Sequence, residues 1–128
     1  MISYYRRLVS ELPRIEAFQK GIEAAVGPDS IVCEIGSGLG TYSFLASRAG
    51  ASKVYAIEES SVINLSRKLY SANQETLGEI VFIKKHSTAT HLPEKADIII
   101  FENYDCQGLL LRAINSLHFI SNCAMKMA

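Results

Sequence analysis

Four short apolar runs set the frame of this chain: "IVCEI" (31–35), "KVYAIE" (53–58), "EIVFI" (79–83) and "ADIIIFE" (96–102). Each is short for a buried helix and rich in β-branched residues, so each reads as a strand. The last has a continuous apolar centre, as expected of a strand covered on both faces. Helical spacing fills the intervals. Ile15, Phe18, Ile22 and Val26 predict an amphipathic helix over 14–26, stopped by Gly27-Pro28. Tyr42, Leu45, Ala46 and Ala49 predict a second helix ending near Gly50. A third follows, with Ser60 or Ser61 as its N-cap and Val62, Leu65 and Leu69 on its apolar face. Leu109 to Leu117 read as another helix, and residues 117–128 as a fifth strand or a frayed tail. Strands alternating with helices predict an α/β fold, a doubly wound and mainly parallel sheet with helices on both faces.

With 128 residues the chain has room for one domain, spanning 1–128. Lys plus Arg equals Asp plus Glu at 13 each, so the net charge is zero. That argues against a protein held to nucleic-acid phosphates, which needs a basic surplus. No apolar run approaches the roughly 20 residues of a membrane span, and "MISYYRRLVSELPR" has no apolar core behind its basic residues, so no secretory signal is read there. Cys33, Cys106 and Cys123 are odd in number and far apart, as in reduced thiols, and a cytoplasmic location is expected. Cys33 reads as a small apolar core residue. His86 and His91 have no carboxylate partner in the sequence, and no metal site is expected.

The chemistry is carried by "VCEIGSGLGTY" (32–42), where Gly36, Gly38 and Gly40 alternate directly after the first strand. In a doubly wound sheet this loop is where ligands bind. Glycine lacks a Cβ, so the backbone approaches a ligand closely and φ can be positive. A dinucleotide loop needs Gly-x-Gly-x-x-Gly; its third glycine would fall at position 41, which is Thr41. The NAD register therefore fails. Glu58, at the end of the second run, sits where a carboxylate accepts from both hydroxyls of a ribose. Glu34, before the glycines, is expected to point into the same crevice.

These residues resemble the AdoMet-dependent methyltransferases of the seven-strand class, whose first motif is Glu-x-Gly-x-Gly-x-Gly with a ribose-holding acid ending the second strand. Within the class, residues from about Tyr4 to Ile114 most resemble the protein arginine methyltransferases. "LVSELPRIEAFQKGI" is similar to the helix before their first strand, "AGASKVYAIEES" to their second-strand segment, and "ADIIIFENYDCQGLLLRAI" to the segment that begins their double-glutamate loop. The resemblance implies AdoMet as cofactor, with residues 1–27 a helical segment over its site. Glu34, Gly36, Ser37, Gly38, Gly40 and Glu58 would bind it. Arg14 matches the arginine that pairs with the cofactor carboxylate, and its planar fork of donors suits that task; an exposed helix arginine is the alternative. Ser87 and Thr88 stand where the family reads the adenine ring, Thr88 with a hydroxyl in place of a carboxylate. Tyr4 and Tyr5 either stack on the ligand or cover the core.

Glu102 matches the first glutamate of the acceptor clamp and is the candidate catalytic residue. The second would fall at position 111, which is Leu111. Two readings follow. In one, the chain is a methyltransferase in which Glu102 holds a nucleophile of a protein or small-molecule acceptor. In the other, it is a cofactor-binding but inactive module or partner subunit. The family continues into further strands and a β-domain, whereas this sequence stops after about the fifth strand. The sheet edge left bare invites a second subunit or a second copy.

Overall fold

The four apolar runs pair as parallel strands, and the computed structural model describes residues 2–101. In chain order the elements are α1 (Ile2–Ser10), α2 (Leu12–Ala25), β1 (Ile31–Ile35), α3 (Thr41–Arg48), β2 (Lys53–Ile57), α4 (Ile63–Ala72), β3 (Glu79–Ile83) and β4 (Ile98–Phe101). Short 3-10 turns form at Gln74–Thr76 and Ser87–Ala89. The helix expected over 109–117, the tail, Glu102, Leu111, Cys106 and Cys123 all lie outside the described residues.

The strand order is β3-β2-β1-β4. The chain winds outward from β1 through β2 to β3, then crosses back to place β4 on the other side of β1. Register is continuous across the sheet, with Cys33 between Tyr55 and Ile99. Because strand side chains alternate in direction, the sheet has two separate apolar faces. Val32, Val54, Ala56, Ile80 and Ile100 form one, and α2 and α3 cover it with Ile22, Tyr42 and Ala46. Phe18 stacks on Tyr42 there, ring centroids 4.4 Å apart, and α4 adds Tyr70. Cys33, Ile35, Tyr55 and Ile57 form the other face, where Leu92 and Ala96 pack. Cys33 thus sits in the core as expected. Each fully buried Val or Ile contributes on the order of 1.5–3 kcal/mol.

Pro13 near the start of α2 suits a first turn whose amides have no helical partner, and the helix begins at Leu12, two residues earlier than the pattern predicts. The segment before it is helical as well. Among the described side chains of α1, Ile2, Tyr4 and Val9 are exposed and Tyr5 is half-buried.

α4 departs from expectation in its cap and its face. Its N-cap is Val62, with no side-chain hydrogen bond, so neither Ser60 nor Ser61 caps it. Leu65 and Leu69 are exposed, while Ile63 and Ser66 are fully buried. Val62 is buried as expected, but beyond it two stripes compete on this helix, one through Leu65 and Leu69 and one through Ile63, Ser66 and Tyr70. Hydropathy favours the first. The second wins because a serine with a buried hydrogen-bond partner belongs in a core.

Candidate functional site

The glycine loop leaves the C-terminal end of β1 at the point where the strand order reverses, which is where open α/β sheets bind ligands. Gly36, Gly38 and Gly40 all have positive φ, at 71°, 54° and 85°. At Gly38 a side chain is excluded by space as well, since an added Cβ would stand 2.8 Å from the Tyr5 ring. Gly40 caps α3 in the left-handed region, against the Phe44 ring.

The loop's amides are largely used within the protein. Gly36 and Ser37 both donate to the Ile57 carbonyl at 2.9 Å, and Gly40 donates to Ser37 at 2.7 Å. Gly38 donates to Glu58 Oε1 at 3.1 Å. The loop is therefore fastened to the end of β2 and offers a ligand mainly close approach. Ser37 Oγ is buried and, among the described residues, has no hydrogen-bond partner.

Glu58 follows β2 and is buried, with Oε2 accepting from the Ser60 amide at 2.7 Å. Glu34 is also buried, and its Oε2 accepts from the Ser43 amide at 2.8 Å and from the Ser43 hydroxyl. Ser43 lies in the first turn of α3, whose amides have no partner inside the helix. The carboxylate satisfies one and places negative charge at the positive helix end. Glu34 therefore ties strand to helix. Nothing in the sequence pattern singled out Ser43 as its partner.

A cavity of about 580 Å³ opens here, within the size range of small-molecule sites. Arg14, Glu34, Gly36, Ser37, Gly38, Glu58 and Ser87 all line it, drawn from α2, both strand ends and the turn after β3. Gly40 and Thr88 stand off its wall. Thr88 is exposed, its hydroxyl 2.7 Å from His86 Nδ1. Lys85 and His86 take part in the lining instead; being next to β3 at the same sheet end is the signal that would have found them. Tyr5 lies on Gly38, with Tyr4 edge-on to it at 5.3 Å. Burial pushes the Tyr5 hydroxyl above its ordinary range, and the Glu58 carboxylate adds to this, partly offset by the Ser60 hydroxyl. Arg14 is 3.5 Å from Glu11.

No protein-family model matches the chain. The histone-arginine methyltransferase CARMER of Anopheles gambiae is 34% identical over 103 residues, covering 79% of this chain. The homologues of this chain are arginine methyltransferases. The chain spans 16% of the length of that Anopheles relative. Two solved arginine methyltransferases share the fold. The Trypanosoma brucei PRMT1 enzyme–prozyme heterotetrameric complex with AdoHcy superposes with a TM-score of 0.73 at 25% identity, over 80% of this chain and 32% of that one. Arabidopsis thaliana protein arginine methyltransferase 10 gives 0.70 at 27%, over 80% and 30%. A tRNA methyltransferase of M. jannaschii, with a TM-score of 0.62 at 20% identity, shows the same fold. The architecture is the parallel, Rossmann-like methyltransferase fold.

Of the positions matched to the arginine methyltransferases, Arg14, Glu34, Gly36, Gly38 and Glu58 come together in one cavity of the described residues. Glu102 follows Phe101 in sequence and lies outside them.

Proposed function

We propose that this chain binds AdoMet in the cavity after β1 and β2, and that its methyl group goes to a protein or small-molecule acceptor. One observation carries the reading: Glu58 and the glycine loop share a single buried bond, at the switch point of a sheet whose homologues are arginine methyltransferases. AdoMet supplies an electrophilic methyl on a sulfonium. The residues fit its parts. Glu58 has a carboxylate suited to ribose hydroxyls, Arg14 a guanidinium suited to the aminocarboxylate, and Ser37 a buried hydroxyl lacking a partner among the described residues. Ser87, buried after β3, also lines the cavity and is assigned the adenine. Glu34 would act by holding α3 and the loop in place.

Glu102 is assigned the acceptor. One carboxylate can orient a nucleophile and stabilise positive charge as the methyl transfers. A second reading, an AdoMet-binding partner subunit without turnover, draws on Leu111 in place of a second glutamate. It also draws on the Trypanosoma relative, which is an enzyme–prozyme heterotetramer. A partner subunit is proposed on the same ground.

Thermal unfolding with AdoHcy tests the binding. A ligand at about 100 times its Kd adds roughly 2.7 kcal/mol to a native state it alone recognises. No rise in Tm at millimolar AdoHcy would sink both readings. Methyl-labelled AdoMet with a cell lysate separates them: transfer that is lost in Glu102→Gln supports the enzyme, and binding without transfer supports the subunit.

A further inference from the structure

Gly38 is gripped from more than one side. Its amide donates to Glu58, the Tyr5 ring lies over its Cα, and its carbonyl accepts from Ser66 Oγ at 2.7 Å. Ser66 belongs to α4 and is fully buried. A helical serine ordinarily turns its hydroxyl to solvent or to the carbonyl four residues back. This one reaches across to the loop, 28 positions away in sequence. The buried bond explains why α4 turns a serine inward and leaves Leu65 and Leu69 outside.

The consequence falls on the next amide. The Gly38–Leu39 peptide is planar and trans, so fixing its carbonyl on Ser66 turns the Leu39 N–H to the opposite side, away from α4. Leu39 lines the cavity. The amides of Gly36, Ser37, Gly38 and Gly40 are already used, whereas among the described residues the Leu39 amide donates to no acceptor. We propose that Ser66 is a positioning residue for the ligand: by holding the Gly38 carbonyl it aims the Leu39 N–H at an acceptor atom of the bound cofactor. Because the glycine at 38 has no side chain to limit its torsions, that peptide would otherwise be free to flip. The assignment rests on the AdoMet reading of the cavity.

The test compares wild type, Ser66→Ala and Ser66→Cys in the full chain. AdoHcy affinity is measured by calorimetry, unliganded Tm by thermal unfolding, and the Leu39 amide by nitrogen–proton NMR. Ser66→Ala is expected to weaken AdoHcy binding about five- to tenfold, the worth of one well-aimed hydrogen bond. The AdoHcy-induced shift of the Leu39 amide is expected to shrink with it. Ser66→Cys keeps the volume with a weaker donor and is expected to fall between the two. A lower Tm with unchanged AdoHcy affinity and an unchanged Leu39 shift would assign Ser66 to packing and overturn the proposal. If the wild type itself fails to bind AdoHcy, the cofactor reading falls first and this assignment with it.

Discussion

The Gly38 amide donates to Glu58 Oε1 across 3.1 Å, so the carboxylate assigned to the ribose is also a fastening of the glycine loop. The other oxygen accepts from Ser60. One buried side chain at the end of β2 thus fastens the loop, and in the proposed function it would hold the ligand as well.

Glu58→Ala is therefore expected to do two things. It removes most of the Tm rise given by AdoHcy. It also lowers unliganded stability by about 1–3 kcal/mol, because the Gly38 amide loses its partner in a buried place. Thermal scans with and without AdoHcy read both. An undiminished ligand shift would show that Glu58 does not hold the ribose.

Gly38→Ala meets two costs, a backbone at φ 54° and a Cβ 2.8 Å from Tyr5. Together they are expected to cost about 1–3 kcal/mol. Tyr5→Ala removes the collision and leaves the torsion, so the double variant should be more stable than the sum of the single losses predicts. Strictly additive urea denaturation energies would place the Tyr5 ring elsewhere.

Glu34→Gln takes negative charge from the first turn of α3 and puts an amide group among the donors of Ser43. The expected loss is about 1–3 kcal/mol in chemical denaturation. Leu69→Gln on the exposed side of α4 is expected to change stability by less than about 0.5 kcal/mol. A large loss at Leu69 would mean that the apolar stripe packs inward after all.

At the opposite end of the strands, Glu94 accepts from the Tyr55 hydroxyl at 2.5 Å and from Lys53 at 3.2 Å. The Tyr55 bond first, then Lys53, holds the Glu94 carboxyl below its ordinary value of 4.5. A carboxyl lowered on folding stabilises the fold above its unfolded pKa, and the benefit disappears as pH falls through the lower folded value. The Tm difference between wild type and Glu94→Gln should accordingly hold above about pH 4.5 and shrink below it. A difference independent of pH would show that charge plays no part.

Much of this molecule can be read from local pattern. Runs of β-branched residues became strands within one or two residues of their expected ends, since a strand buried on both faces has little freedom in composition. Ile15, Phe18, Ile22 and Val26 marked α2 because helical spacing turns Phe18, Ile22 and Val26 to the sheet. α1 escaped the pattern: Ile2, Tyr4 and Val9 are exposed there, and Tyr5 packs on the glycine loop. On α4 the pattern holds at Val62 and fails at Leu65 and Leu69, because Ser66 is polar by type and buried by circumstance. At the site, Arg14, Glu34, Gly36, Ser37, Gly38, Glu58 and Ser87 reached the cavity wall, while Gly40 and Thr88 did not. Gly40 is needed by the start of α3, and Thr88 turns to His86.

The sequence by itself determined the alternation of strands and helices, and with it a parallel sheet whose ligand end lies after β1. Its alternate glycines and two carboxylates named the kind of loop. Both are local properties, set by side-chain periodicity and by the absence of a Cβ at chosen positions. Only the tertiary structure decided which atoms hold the loop: Glu58 on one side of Gly38, Ser66 on another, Tyr5 above. Those partners are far apart in the chain, and a polar side chain chooses among acceptors only once packing has excluded water and set the distances.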